Sequence, residues 1–300
     1  MASLAAGGMD YLQAVAQLAK VRITAAVTLT TATGYILAAR QLDWSMCMPL
    51  IGVFLLASGS AALNQWQERA IDIQMRRTRG RPLPGGRIDP AWALFCAVLL
   101  VLFGFFLLTS IPHSTGLLLA LGALALLWYN AVYTYLKRVT AFAVVPGALI
   151  GAIPPLIGYV SAGGKLNDPQ ILLVALFFFI WQIPHFWLLM MMFGGEYREA
   201  GLPTVVGKFA KPQLLRITFM WMLSTAAAGL AFTTLRHIDV AMPWSFGLVG
   251  GSFWLAAKAT AILGVPDDGD DKLPLRRAFR QINVYAVVVM ICLSLSALGR

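Results

Sequence analysis

The sequence predicts an all-α polytopic membrane protein with nine transmembrane helices around a central cavity that opens to the cytoplasmic side. The chain of 300 residues is 59% hydrophobic and only 12% charged. Its apolar runs of about twenty residues match the hydrocarbon core of a bilayer, which is roughly 30 Å thick. The runs lack the alternating polarity of outer-membrane strands, so helices, which satisfy their own backbone hydrogen bonds in lipid, are favoured.

The predicted spans follow one another through short connections. They cover residues 22–40, 46–64, 91–110, 115–133, 142–161, 170–190, 213–234, 243–263 and 281–298. The segment MDYLQAVAQLAKVR before the first span is typical of a short amphipathic helix at the membrane interface. The first span is too long for the core of a signal peptide and no small-residue cleavage site follows it, so we expect it to remain in the mature protein.

The distribution of positive charge predicts the orientation. Of the 23 Lys and Arg residues, 18 fall on the side that holds the N-terminus and four on the opposite side, with Lys258 inside a span. Positive residues concentrate on the cytoplasmic side, so the N-terminus is predicted inside and the C-terminus outside, in a bacterial inner membrane. This bias explains most of the net charge of +10 without a nucleic-acid partner. The inner connections also hold most polar groups, so an active site is expected to open to the cytoplasm.

Three oxygen-bearing side chains mark the end of the second span. Asn64, Glu68 and Asp72 are spaced four residues apart, which on a continuous helix places them on one stripe with a rise of about 6 Å per step. Two carboxylates and an amide can hold Mg²⁺ and leave coordination positions open for substrate phosphates. The alternative is a solvated face that balances nearby arginines.

Positive side chains beside this stripe predict a diphosphate site. Arg69 lies within it and Arg76 and Arg81 follow it in the segment LNQWQERAIDIQMRRTRGRPLPGGRI, and Lys137 and Arg138 lie in the connection between the fourth and fifth spans. Guanidinium groups bind phosphate oxygens in a forked geometry. The alternative is that these residues only set the membrane orientation.

A second acidic segment, GGEYREAGLPTV, follows the sixth span in the same way that the first acidic segment follows the second span. Glu196 is its best candidate to join the metal site. Two helix ends with acids at the same rim predict an internal duplication with the site between the halves. We therefore predict a single domain over 1–300 with pseudo-repeated halves at about 20–161 and 170–298.

The sixth span contains Gln182 and His185 on either side of Pro184. A proline opens the backbone of a helix, so these polar side chains are not expected to face lipid. A hydrogen bond to a neighbouring helix is one interpretation of His185, and a contact to haem or another substrate is the other. Tyr133, next to Lys137, is either part of an interfacial aromatic belt or a substrate contact.

These motifs resemble the UbiA superfamily of intramembrane prenyltransferases, and within it the haem O synthases. The resemblance rests on Asn64, Glu68 and Asp72, then on RTRGRPLP, YTYLKRVT, GAIPPLIGY, WQIPHFW and EYREAGLPTV in the same order, with a weaker similarity in RRAFRQINVY. Glu68 stands where the family commonly has Asp, and Gly195 and Ile282 replace a common acid and a common Ser.

The resemblance implies a reaction and its participants. A farnesyl group would pass from farnesyl diphosphate to the vinyl group of haem B, with release of diphosphate and with one or two Mg²⁺ ions as cofactor. It implies Asn64, Glu68, Asp72 and Glu196 as metal ligands. It implies Arg69, Arg76, Arg81, Lys137 and Arg138 for the diphosphate, and His185, Gln182 and Tyr133 for haem or other substrate contacts. A downstream haem-modifying enzyme or a terminal oxidase is an expected partner.

Three other functions compete with this one. A related prenyltransferase would accept an aromatic acid or a quinone precursor. A transporter would carry polar residues along its spans. In this chain the central thirds of the predicted spans are nearly free of polar residues. A haem-binding respiratory subunit ordinarily has paired histidines within spans, whereas His113 and His237 fall in outer connections.

Overall fold

The computed structural model describes residues 2–112, 114–235, 240–266 and 272–299, with side chains described from residue 10 onward. Within these ranges it is helical without strands, and nine helices are long and apolar enough to span a membrane. They follow an N-terminal helix, α1 (Ala2–Leu18). The nine are α2 (Val21–Ala39), α3 (Trp44–Asp72), α4 (Pro90–Thr109), α5 (Thr115–Val139), α6 (Val144–Ser161), α7 (Pro169–Glu199), α8 (Lys211–Thr234), α9 (Met242–Gly264) and α10 (Leu273–Leu298). His113, Arg236, His237 and Arg300 lie outside the described residues.

The predicted all-helical membrane fold is confirmed, and each predicted span corresponds to one helix. Three helices continue well past the C-terminal end of the apolar run that predicted them: α3 to Asp72, α5 to Val139 and α7 to Glu199. Glu68 and Asp72 in the extension of α3 are buried and Glu196 in that of α7 is partly buried, so these helices do not end where hydrophobicity ends. The extensions carry the candidate site.

Helix α1 packs on the end of α3 that carries the site. Its buried Ala14 and Leu18 contact Ala62 and the apolar residues of the α3–α4 connection. The amide of Gln65 donates hydrogen bonds of 2.8 Å to the carbonyls of Gln17 and Leu18. The last carbonyls of a helix have no partner within it, and Gln65 therefore caps α1 from a neighbouring helix.

The helices contact one another in chain order from α2 to α10, and α10 returns to contact α2. Other contacts cross this circuit, and the most extensive of them join α2 to α6 and α7 to α10. The larger core joins α7 to α10 around Phe177, Phe232 and Tyr285. A second core joins α3 to α6. The circuit brings the ends of α3 and α7 to the same side of the molecule. The opening of the cavity to the cytoplasm stays a prediction.

The contact between α2 and α6 is reciprocal. A Cβ added to Gly34 would lie 2.0 Å from the carbonyl oxygen of Pro155, and one added to Gly158 would lie 1.9 Å from that of Thr31. Only glycine permits this approach of the two backbones. Each glycine precedes a tyrosine whose hydroxyl donates to an aspartate at the start of the next helix, at 2.8 Å for Tyr35 and Asp43 and at 2.5 Å for Tyr159 and Asp168.

The reciprocity is of the kind that an internal duplication would leave. The motif before each tyrosine occupies the same place in its half, on α2 and on α6. In both halves the following helix begins after an aspartate, and in α7 the Asp168 side chain also accepts the Gln170 amide. The predicted division into halves at 20–161 and 170–298 stays a proposal.

Replacing Gly34 by alanine is expected to push α2 and α6 apart. Overpacking of a close contact lowers the free energy of unfolding by about 1–3 kcal/mol. The matched control is Gly250→Ala, since Gly250 is an exposed residue of α9 where an added methyl group meets nothing within 4 Å. The control is expected to be neutral or stabilising by up to about 1 kcal/mol. Thermal unfolding in detergent measures both, and equal midpoints would contradict the backbone contact.

Candidate active site

The predicted polar stripe lies on the inward face of α3. Asn64, Glu68 and Asp72 are 2%, 6% and 1% exposed. This burial excludes the alternative of a solvated acidic face. A buried carboxylate is costly unless it is paired, so the partners of these side chains define the site.

Each member of the stripe contacts one cationic side chain from a different part of the chain. Lys20 Nζ donates to Asn64 Oδ1 at 3.0 Å, Lys137 forms an ion pair with Glu68, and Arg81 Nη1 donates to Asp72 Oδ2 at 2.7 Å. The three cations come from the α1–α2 junction, from α5 and from the α3–α4 connection. The name "cation row" is used below for Lys20, Lys137 and Arg81.

Lys20 was not among the candidates predicted from the sequence. It adopts a left-handed conformation, with φ 49° and ψ 46°, at the sharp turn between α1 and α2. Burial, assisted by the positive charges of Arg81 and Lys137, lowers the pKa of Lys20 from 10.5 to about 7. The sequence shows only a lysine before the first span, where a positive residue is ordinary.

Asn64 is held from three directions. Besides Lys20, its Oδ1 accepts from the hydroxyl of Tyr129 at 3.2 Å, and its Nδ2 donates to Thr134 Oγ1 at 3.0 Å. Of the partners on α5, Tyr129 lies within a π-helical turn, Trp128–Tyr133, and Thr134 directly follows it. Such turns insert one extra residue into a helix and are frequent at functional sites. Here the turn places Asn130 so that its amide bonds to the Ser60 carbonyl and to Gln67 of α3.

The α3–α4 connection is folded so that Arg81 reaches Asp72. Thr78 Oγ1 donates to the Asp72 carbonyl at 2.9 Å, and the amide of Arg81 donates to the Thr78 carbonyl at 2.9 Å. Leu83 and Ile88 of the same segment are buried against α1. The positively charged segment is thus an ordered part of the site.

Glu196 on α7 contacts this connection. Its Oε2 accepts a hydrogen bond of 2.9 Å from the backbone amide of Arg77, and the Arg77 guanidinium donates to Tyr197 at 3.2 Å. Glu196 thus links the end of α7 to the connection that follows α3, and its role as a metal ligand stays a prediction. Among the described residues, no three His, Cys, Asp or Glu side chains lie close enough to hold a metal ion together. Any metal here takes its remaining ligands from amides, water or substrate.

The other predicted diphosphate residues lie outside the cation row. Arg69 is exposed, donates to the carbonyl of Trp66 at 2.6 Å and stacks on its ring at 4.6 Å. Arg76 is also exposed. Arg138 donates to the Gln67 carbonyl at 3.1 Å and stacks on Tyr135 at 5.1 Å. The structure thus brings Arg81 and Lys137 to the stripe, while Arg69 and Arg138 contact backbone carbonyls.

Aromatic rings lead from the cation row toward α7. Lys137 Nζ lies 5.6 Å from the ring centroid of Tyr133, which stacks on Tyr129 at 5.9 Å and contacts Phe186 at 6.4 Å. Phe186 in turn contacts His185 at 5.4 Å. Tyr133 and His185, predicted independently from two motifs, therefore belong to one continuous aromatic cluster.

Gln182 lies on α7 beside α6. A Cβ added to Gly151 would lie 2.0 Å from Gln182 Oε1, so this glycine leaves the space that the amide occupies. The buried Oε1 has no hydrogen-bond partner among the described residues. A buried acceptor without a partner is uncommon, and occupation by a ligand group is one explanation.

Comparison with known proteins agrees with this architecture. The sequence model of the UbiA prenyltransferase family matches residues 27–268. The protoheme IX farnesyltransferase of Geobacter sulfurreducens is 46% identical over 53% of this chain and 58% of its own length. The protoheme IX farnesyltransferase of Anaeromyxobacter sp. (strain Fw109-5) is 34% identical over 96% of this chain and 95% of its own.

Solved structures share the fold at low sequence identity. A digeranylgeranylglyceryl phosphate synthase superposes with a TM-score of 0.74 and 17% identity, over 97% of this chain and all of that one. A UbiA homologue from Archaeoglobus fulgidus bound to GPP and Mg²⁺ superposes with a TM-score of 0.66 and 11% identity, over 96% of this chain and all of that one. The family match over most of the chain and a relative that matches along nearly its full length show that this chain belongs to the UbiA prenyltransferase family.

Proposed function

We propose that this membrane enzyme transfers the farnesyl group of farnesyl diphosphate to the vinyl group of haem B with addition of one water molecule, which yields haem O with its hydroxyethylfarnesyl group and releases diphosphate. The observation that carries the proposal is the buried stripe of Asn64, Glu68 and Asp72 in contact with the cation row. The choice of haem B as acceptor is supported by the relatives named protoheme IX farnesyltransferase.

The stripe fits Mg²⁺ through the chemistry of its donors. Asn64, Glu68 and Asp72 present only oxygen as metal-binding atoms from one face of α3, and Mg²⁺ prefers a few protein oxygens together with water and substrate phosphates. Glu196 would extend the set from α7. When bound, one or two Mg²⁺ ions would neutralise the charge that develops on the departing diphosphate.

The cation row performs the same electrostatic task from the protein side. Lys20, Lys137 and Arg81 carry more positive charge, when protonated, than Glu68 and Asp72 can neutralise. Breaking the allylic C–O bond leaves negative charge on the diphosphate, and fixed cations beside it lower the barrier because they need no reorganisation during the reaction. In the absence of substrate the carboxylates keep these cations ordered.

The aromatic cluster suits the organic half of the reaction. Its stacked rings, Tyr129, Tyr133 and Phe186, begin at Lys137 and reach α7. The faces of aromatic rings attract a cation, and an apolar environment protects an allylic carbocation from water. We place the farnesyl chain along this cluster and the acceptor near His185 and Gln182.

The membrane arrangement follows from the charge distribution. We propose that the N-terminus and the ends of α3 and α7 face the cytoplasm of a bacterial cell, and that the site opens there, because Lys and Arg concentrate on that side. Both substrates are amphipathic and would enter from the bilayer. A downstream haem-modifying enzyme or an oxidase is the expected recipient of the product.

The defining experiment incubates membranes that contain the recombinant protein with haem B and farnesyl diphosphate, with and without Mg²⁺. Mass spectrometry of the extracted haems is expected to show the hydroxyethylfarnesyl product only with Mg²⁺. A parallel incubation with 4-hydroxybenzoate tests the alternative acceptor class. A prenylated benzoate without any haem product would overturn the proposal in favour of that class.

Replacing Glu68 by glutamine is expected to lower the rate of product formation at least about 100-fold, because it removes a charged metal ligand. Glu199→Gln is the matched control, since Glu199 is exposed at the end of α7. The same change there is expected to have little effect on the rate. Glu68→Gln also leaves Lys137 without its counter-ion, so the double variant Glu68→Gln/Lys137→Met controls for stability. Near-normal product formation by folded Glu68→Gln would contradict the metal site.

A pair of arginine variants tests the cation row. Arg81→Met is expected to raise the KM for farnesyl diphosphate at least about tenfold, because its guanidinium lies at Asp72 in the site. Arg69→Met is expected to change it less than about twofold, because this side chain folds back on Trp66. Steady-state kinetics at saturating haem B measures both. Equal increases in the KM of the two variants would favour the broader set of diphosphate-binding arginines that the sequence predicts.

A further inference from the structure

His185 on α7 faces α10 and is surrounded by aromatic rings. Its ring centroid lies 4.8 Å from that of Trp181, 5.4 Å from that of Phe186 and 4.7 Å from that of Phe279. Its Nδ1 lies 3.0 Å from Asn283 Oδ1. Among the described residues, Asn283 is thus the one hydrogen-bond partner of the imidazole, and it belongs to a motif near the C-terminus to which the proposed function assigns no role.

The orientation of the Asn283 amide determines which imidazole nitrogen carries the proton. Asn283 Nδ2 donates to the carbonyl of Phe279, one turn earlier on α10, at 2.5 Å. The amide oxygen is therefore the atom that faces the imidazole, and it can only accept. Nδ1 of His185 must donate, so in the neutral ring Nε2 carries the lone pair. No hydrogen-bond partner of Nε2 is found among the described residues.

A second contact fixes the register of α7 on α10. The indole Nε1 of Trp181 donates to the carbonyl of Ile282 at 3.0 Å. Trp181 and His185 are one helical turn apart, and they contact successive residues of α10. Because the backbone carbonyl at position 282 accepts this bond, the presence of Ile282 in place of the Ser that is common in the family does not remove it. The Trp181 bond fixes the two helices relative to each other, and the Asn283 bond then orients the imidazole ring.

We propose that Asn283 is a positioning residue that fixes the Nδ1-protonated tautomer of His185, so that Nε2 binds the iron of the haem acceptor. This inference rests on the proposed function. Imidazole nitrogen is a common axial ligand of haem iron. Histidine ligands usually donate their second N–H to a carbonyl, carboxylate or water, which orients the ring and increases its basicity. The Asn283 amide oxygen supplies such an acceptor.

The location suits an acceptor site. Phe186 contacts both His185 and Tyr133, and Tyr133 lies beside Lys137 of the cation row. A haem held by His185 would therefore lie next to the aromatic cluster that begins at the diphosphate end. Iron ligation on one side of the macrocycle would present its edge to the prenyl donor. Asn283 would then influence the reaction only through His185.

The test measures haem binding without farnesyl diphosphate, in purified full-length protein in detergent. Titration with haem B, followed in the Soret band, gives the affinity, and resonance Raman spectroscopy of the ferrous complex detects the iron–histidine stretch. Asn283→Ala is expected to weaken haem binding about 10- to 100-fold and to shift or broaden the iron–histidine stretch. Asn283→Asp keeps an oxygen acceptor and is expected to recover most of the affinity. In His185→Ala the iron–histidine stretch is expected to disappear.

The matched control is Ser252→Ala. Ser252 Oγ and the hydroxyl of Tyr285 form a buried hydrogen bond of 2.7 Å between α9 and α10, two residues beyond Asn283. Its loss perturbs the same helix without touching His185, so haem affinity and the band are expected to remain as in the wild type. If Ser252→Ala weakens binding as much as Asn283→Ala, the effect is general packing and the proposal fails.

Two results separate failure of this inference from failure of the proposed function. If the wild-type protein makes farnesylated haem while Asn283→Ala binds haem normally with an unchanged band, only the positioning role is overturned. A wild-type protein that makes no haem product overturns the function itself. If Asn283→Asp binds haem as poorly as Asn283→Ala, an acceptor at this position is not what His185 needs, and the inference fails.

Discussion

The contact between the buried polar stripe on α3 and cations from three other elements is the interaction on which the rest of the structure depends. Glu68 and Asp72 lie in an apolar bundle, where an unpaired charge would be costly by several kcal/mol. Lys137 and Arg81 provide the counter-ions, and Lys20 completes the row at Asn64. Satisfying these groups requires the turn at Lys20 and the folded connection that carries Arg81. The site therefore forms only together with the packing of the elements around it.

Electrostatics and apolar packing are separated within the molecule. One end of the bundle carries the carboxylates, the cation row and Glu196, whereas the contact of α2 with α6 is made by backbone at Gly34 and Gly158. That contact has no charge to shift and little side chain to rearrange. The close backbone contact between α2 and α6 and the polar cluster at one end of the bundle suit a reaction that needs an ordered diphosphate site beside a water-poor space for a prenyl chain.

The segments best predicted from the sequence are those where chemistry is local. Each apolar run became a helix, because length and hydropathy within the run determine whether it can cross a bilayer. The spacing of Asn64, Glu68 and Asp72 predicted one stripe, and the helix that carries them continues to Asp72. A motif in the sixth span singled out His185, although its partner Asn283 is 98 residues away and no local pattern identifies it.

The sequence by itself determined the membrane class, the order of the spans and the helix face on which the acidic residues lie, because these depend on composition and on the period of a single helix. Only the tertiary structure decided which of many positive residues face the acids. Arg81 and Arg69 belong to the same positively charged segment, yet one contacts Asp72 and the other folds onto Trp66. Lys20 joined the site although nothing around it in the chain distinguishes it. The physical reason is that polar contacts depend on distance in space: the folded α3–α4 connection brings Arg81 to Asp72, and the packing of the helices brings Lys20 to Asn64 and Lys137 to Glu68.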